Sequence, residues 1–188
     1  MKRYMIYLDN NSYLPKDAPT LLKRARELLR VNSGVIIRDT RVLKKYLEFD
    51  TTIADDASIT DILLGYQAIA PVAEFDLIIE RILPKADAII QSIKLFNDEK
   101  YWSAHEHLEL IWKNSQGEEK NLLNGIILIA AAFVHDEKDE SEICISILSR
   151  ALQKLNHAHG IYLSINVDKI KERISKIIES RHIERFVI

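Results

Sequence analysis

Two hydrophobic rhythms divide the chain near Pro84. Ahead of it, short apolar runs of strand type alternate with helical periods; beyond it, only helical periods are legible. Tyr4-Met5-Ile6-Tyr7-Leu8 predicts a strand, closed by the turn-prone run Asp9-Asn10-Asn11-Ser12. Asp17 or the Pro19-Thr20 step opens a helix whose apolar residues Leu21, Leu22, Ala25, Leu28 and Leu29 recur at helical spacing, and Asn32-Ser33-Gly34 ends it. Val35-Ile36-Ile37 and Tyr46-Leu47-Glu48-Phe49 predict two more strands, joined as a hairpin through the Asp39-Thr40-Arg41 region. Asp55 to Ser58 offers caps for a helix carrying Ile59, Ile62, Leu63 and Tyr66, and Val72 to Ile79 supplies a fourth strand. The order β-α-β-β-α-β over residues 1–80 is that of a ferredoxin-like sandwich, with two helices covering one face of an antiparallel sheet.

From residue 84 to 188 the expectation is an all-α helical bundle, so the whole chain is of the α+β class. Helices are predicted over Pro84–Phe96, Glu99–Asn114, Glu118–Asp136, Glu140–His157 and Val167–His182, with no strand among them. Pro84 suits a first helical turn, Asp98 a cap, and Gly117 and Gly160 helix ends. Short connections make neighbouring helices antiparallel.

Two of these helices carry the residues with chemistry. At about 100° per residue, Tyr101, His105, Leu108 and Trp112 form one stripe, with Ala104 and Ile111 beside it and Glu109 one turn beyond His105. Glu106 sits further round, near Trp102. Between Leu122 and Val134 only Asn124 and Gly125 interrupt apolar residues on every side, so that helix must be covered all round. Asn124, Leu128, Ala131 and His135 share one of its faces. Antiparallel packing places His135 toward Tyr101 and His105, and Gly125 admits a close neighbour such as Trp112.

These motifs resemble a known family. Phe96-Asn97, Tyr101-Trp102, Ala104-His105-Glu106, Leu108-Glu109 and Trp112, followed by Leu123-Asn124-Gly125-Ile126-Ile127, Ala130-Ala131-Ala132 and His135, are similar to domain-of-unknown-function family 309. The resemblance spans roughly residues 89–155, and it implies a helical bundle with no established activity. After His135 the family's Gly-Asn step and later Gly-Ala pair are replaced by Lys138-Asp139 and Ile143-Cys144. The first eighty residues lie outside the resemblance.

Composition narrows the function classes. The 188 residues are 47% hydrophobic and 29% charged, the mix of an ordinary globular protein. A formal charge of -2 lacks the basic excess of a nucleic-acid binder. Basic residues dominate from Lys16 to Lys45 and acidic ones from Glu48 to Glu80, which is expected to give two solvated faces. The single cysteine, Cys144, sits among isoleucines as a small buried hydrophobe and cannot form an internal disulfide. The longest apolar run falls short of the ~20 residues that cross a bilayer, and no signal peptide is legible, so the expected location is cytoplasmic, with no membrane partner.

An imidazole in an apolar stripe needs a partner for its ring nitrogens, which makes Tyr101, His105, Glu109, Asn124 and His135 a candidate polar cluster. The primary expectation is a structural or interaction module in which this cluster fixes helix packing, and which self-associates as a homo-oligomer, a dimer first. The alternative is a metal-dependent hydrolase: His105, Glu109 and His135 have the donor types of a divalent-metal site, and Glu106 would be its general base. The two histidines of His105-Glu106-His107 point too far apart to share an ion. His157 and His159 suit a helix C-terminus rather than a metal. A third reading has the N-terminal unit binding RNA by stacking aromatics, with Lys23, Arg24 and Arg26 holding phosphates, although Tyr4 and Tyr7 point to opposite faces of their strand. No substrate or small-molecule ligand is legible.

Overall fold

The computed structural model describes residues 1–30, 34–79 and 83–188. The chain forms two compact units, Met1–Arg81 with the short segment Glu137–Asp139, and Ile82–Asp136 with Glu140–Ile188.

In the first unit, β1 (Lys2–Asp9) is followed by α1 (Ala18–Leu28), the hairpin β2 (Val35–Val42) and β3 (Tyr46–Ile53), α2 (Ile59–Tyr66) and β4 (Val72–Leu77). The strands lie in the order β2-β3-β1-β4, and every neighbouring pair is antiparallel. Tyr4, Ile6, Leu8, Leu47, Phe49 and Ile53 point to one face and pack with Leu21 and Ala25 of α1 and Ile62 and Tyr66 of α2. Ser58 caps α2 by accepting from the Asp61 N–H. Asp17 precedes α1 without capping it, because its carboxylate accepts from the Leu14 N–H instead.

Two expectations for this unit are corrected. The Asp39-Thr40-Arg41 region is not a turn: β2 runs through it to Val42, opposite Leu47 to Asp50 of β3. Nor are the basic and acidic stretches simply two solvated faces. The register sets Arg41 against Glu48, and the Arg41 Nε donates to the Glu48 carboxylate with both residues 1% exposed. Nη1 of Arg41 reaches Asp39 at 3.2 Å. Arg3 grips Asp50 with two hydrogen bonds of 2.9 and 2.6 Å, and Asp50 is 3% exposed. Burial works against the Arg41 charge, but Glu48 and Asp39 outweigh it and hold the guanidinium above its ordinary value. The charges of this sheet neutralise one another across strands, away from water.

The second unit is helical: α3 (Lys85–Asn97), α4 (Tyr101–Lys113), α5 (Gly117–Asp136), α6 (Ser141–Lys154) and α7 (Val167–Ser180) pack in chain order. Their bounds follow the apolar periods closely. The region also contains a short hairpin that those periods did not predict, β5 (Ile161–Tyr162) with β6 (Ile165–Asn166). Asn166 ends it and caps α7, accepting from the Lys169 N–H at 3.0 Å. Asp98 is not a helix N-cap here; it ends α3, and Lys100 precedes α4.

α5 is the centre of the unit, with Leu122, Leu123, Gly125, Ile126, Ile127, Ile129, Ala130, Ala132 and Phe133 all buried. Phe133 meets Tyr101 at 5.0 Å and Phe96 at 5.9 Å between ring centroids, which fixes the antiparallel run of α4 against α5. The close neighbour at Gly125 is Leu155, just past α6, rather than Trp112. A Cβ at Gly125 would stand 2.6 Å from Leu155 Cδ2 and Cγ and 3.4 Å from the Ala151 carbonyl oxygen.

Gly125→Val is therefore expected to lower stability by about 1–3 kcal/mol through overpacking, although a helical glycine is intrinsically unfavourable. Arg41→Met should cost about 3–5 kcal/mol by leaving Glu48 buried without its guanidinium, and Arg41→Met with Glu48→Leu should recover most of that loss. Urea unfolding midpoints of the three variants check both expectations.

Candidate functional site

The α4 stripe forms largely as its spacing requires. Tyr101, Ala104, Leu108 and Ile111 are buried. Tyr101 is 1% exposed, its ring held edge-on by Phe96 at 4.9 Å and tilted against Phe133 at 5.0 Å. His105 does not share that dryness; its side chain is 24% exposed. Nδ1 lies 3.5 Å from Oε1 of Glu106, and Nε2 lies 3.8 Å from Oε1 of Glu109, one turn on. These are ion-pair separations, longer than good hydrogen bonds. Glu109 also stands 3.9 Å from the Lys113 ammonium, so it lies between His105 and Lys113 along one helix face.

The α5 face shared by Asn124, Leu128, Ala131 and His135 is the thinly covered side of that helix, for all four are only half-buried while most residues between them are fully buried. His135 finds a partner that the helix-face argument did not include. Its Nδ1 lies 2.5 Å from Oε2 of Glu140, and the Glu140 N–H donates to the His135 carbonyl at 3.0 Å. Asp139 turns the chain back with a φ of 64°. The signal was present as a carboxylate five residues beyond a helix-terminal histidine, but reading it required knowing that the helix stops at Asp136. The Asn124 side chain makes no hydrogen bond among the described residues.

The five members of the predicted polar cluster therefore do not form one dry network. Tyr101 is in the aromatic core, His105 and Glu109 pair along α4, and His135 pairs with Glu140. Among the described residues no three or more His, Cys, Asp or Glu side chains come together in a group able to hold a metal ion, so His105, Glu109 and His135 are not assembled as one ligand set. Glu106, the candidate base, leans on the His105 imidazole. Trp112 lies under the Lys120 ammonium, 4.7 Å from the ring centroid, and its buried indole N–H finds no acceptor among the described residues.

Cys144 is fully buried, and burial, reinforced by Asp136 and opposed by Arg185, pushes its thiol up to about 12. It is no nucleophile at neutral pH. The surface suggested for RNA also takes another form. Tyr4 is 8% exposed and Tyr7 is 0% exposed, so neither ring is offered to a base. Arg24 donates to the Ala68 carbonyl, and Arg26 to the Ile37 carbonyl at 3.1 and 2.9 Å. No helix among the described residues is long and apolar enough to cross a membrane.

An antiparallel four-stranded sheet backed by two helices, followed by consecutively packed helices around an apolar α5, defines an α+β protein whose distinctive part is helical. Residues 89–146, from α3 into α6, match the family described as "Domain of unknown function (DUF309)". The crystal structure of a conserved hypothetical protein from Thermus thermophilus is similar at 22% identity, over 52% of this chain and 99% of that one, with a TM-score of 0.43. No curated protein matches the chain.

His107, on the other side of α4 from the His105 pair, is held below its ordinary value of 6.5 by burial, with Glu106 opposing the shift. The unfolded chain then binds a proton at a pH where the folded helix still resists it. The stability His107 contributes is complete above about 6.5 and is lost as pH falls toward the folded value. Replacing His107 with Gln is expected to flatten the acid-side fall in stability, measured as the difference between the urea midpoints of the two proteins across that range.

Proposed function

We propose that this protein is a self-associating structural or interaction module rather than a catalyst, working in the cytoplasm as a homodimer. Its first unit is a ferredoxin-like sandwich and its second a helical bundle. The ferredoxin-like reading is supported by the β-α-β-β-α-β element order together with the strand order β2-β3-β1-β4.

One observation carries the functional reading: the titratable candidates resolve into separate local pairs. His105 is answered by Glu106 and Glu109 on its own helix, and His135 by Glu140 across the turn that ends its helix. Each pair satisfies an imidazole where it stands and ties down one helix face or end. A catalytic constellation instead directs its groups toward one reacting atom. The metal-dependent hydrolase keeps one favourable observation, an accessible imidazole with carboxylates on two sides at His105. In that reading His105 and Glu109 would hold the ion and Glu106 would take the proton from water.

A double-mutant cycle and a zinc titration separate the two. Replacing His135 or Glu140 with Ala should cost about 1 kcal/mol each, with the double variant costing little more than either, as expected of one charge-assisted bond. Calorimetric titration with zinc should show no stoichiometric site. Stoichiometric uptake that disappears in His105→Ala would replace the module reading with the hydrolase.

A further inference from the structure

Beyond α7 the helical unit continues in a segment that is neither helix nor strand. Arg181 turns left-handed, with a φ of 55°, and residues 182–188 then cross the ends of α3 and α5. Side chains hold the backbone of this segment. The His182 N–H donates to the Ser180 hydroxyl at 3.2 Å. Asn97, the last residue of α3, clamps Ile188, accepting from its N–H at 2.9 Å and donating to its carbonyl at 3.3 Å. Arg185 enters between two carboxylates, its Nε 2.7 Å from Asp136 and its Nη1 3.5 Å from Glu99, with a side chain only 9% exposed. Phe186 lies next to it on the rings of Phe133 and Phe96, at 5.3 and 6.3 Å between centroids. Val187 is 71% exposed, so nothing covers the segment from outside at that residue.

These are the contacts by which a protein holds an extended peptide. Asn97 reads main chain, the acid pair selects a guanidinium, and the aromatic floor takes the ring beside it. A helix comes away only with its whole hydrogen-bond ladder. This segment is held chiefly by the Arg185 latch, the Asn97 clamp and the apolar contacts of Ile183, Phe186 and Ile188. Its outer ion pairs, Arg173 with Glu184 and Arg181 with Glu142, are exposed and add little. Opening it therefore costs a fraction of what unfolding the helices costs.

We propose that residues 182–188 form a releasable strap that turns about Arg181, and that the groove beneath it is a docking site for an extended segment carrying a guanidinium next to an aromatic ring. The strap is itself such a segment and fills the site it would open, an autoinhibitory contact with Arg185 as the latch. Lifting it takes the guanidinium from Asp136 and Glu99 and bares Phe96 and Phe133, both fully buried when it is closed. An acid pair beside apolar rings favours a cationic and aromatic occupant over an acidic or wholly apolar one. Cys144 reports the event: its thiol is fully buried and feels the charges of both Asp136 and Arg185, which sets it close to the latch.

Labelling of Cys144 by an aromatic disulfide reagent follows the opening in the full chain. The wild-type rate should stay nearly constant through low urea and climb only near the global transition, because local opening exposes little surface. Arg185→Ala should speed labelling about tenfold and Asn97→Ala about fivefold, each with an unchanged circular dichroism spectrum. Asn97 is exposed, so its variant carries the test should Arg185→Ala fail to fold. A peptide with the sequence of residues 181–188 should slow labelling of either variant again, and the same peptide with Arg185→Ala should not. A rate that climbs from the first addition of urea, in step with global unfolding, would overturn the strap, as would unaltered rates in both variants. Faster labelling that neither peptide slows, or that both slow equally, would overturn the docking site.

Discussion

The covering of α5 is the constraint on which the helical unit depends. A helix of twenty residues that is apolar on most of its circumference cannot face water on any broad side, so α4, α6 and the aromatic residues at its end must close around it. Gly125 lets α6 come close enough to do this, because Leu155 fills the space a side chain would take. At the other end Phe96, Tyr101, Phe133 and Phe186 stack their edges and faces into one cluster. The segment after α7 supplies Phe186, and it is fixed there by Asn97, whose amide bonds both the N–H and the carbonyl oxygen of Ile188.

That enclosure leaves one thin face on α5, and Asn124 and His135 lie on it. The Asn124 to His135 face is half-buried, so water can complete whatever hydrogen bonds the protein does not. An imidazole in such a place needs only a nearby carboxylate. His105 and His135 each have one, and half-buried pairs of this kind contribute about 1 kcal/mol or less. The driest ion pair lies elsewhere, in the first unit. Arg41 and Glu48 sit together at 1% exposure, where separating them would leave an uncompensated charge. The sheet is thus bound by charge to a single register, whereas the helical unit is held mainly by shape, with Arg185 bonded to Asp136 at 2.7 Å beside its core.

What was legible followed from which interactions are local. Helix bounds in the second unit lie within a few residues of the apolar periods, because the residues forming each stripe are neighbours in sequence. Strand β2 was cut short for the opposite reason. Asp39-Thr40-Arg41 has turn-like composition, and only the distant Glu48 and the ladder to β3 make it strand. The β5–β6 hairpin has two residues on each side, too few to establish a period. Glu140 was missed because it lies beyond the end of α5, and its approach to His135 depends on the left-handed turn at Asp139. The His105–Glu109 pair was found because it needs nothing but the pitch of one helix.

The sheet edges bring these strands together. An edge strand that must remain single is ordinarily interrupted by a bulge, a proline, a lysine or a capping side chain. β2 has Arg26 on its carbonyl ladder. β4 has Pro71 just before it and a bulge opposite Tyr7 and Leu8, but both lie at its beginning, leaving the half from Phe75 onward regular. Its acidic residues, Glu74 and Asp76, alternate with the exposed Phe75 and Leu77 and stand on the other face of the sheet. Edge protection is therefore direct at β2, through Arg26, and confined to the beginning of the strand at β4.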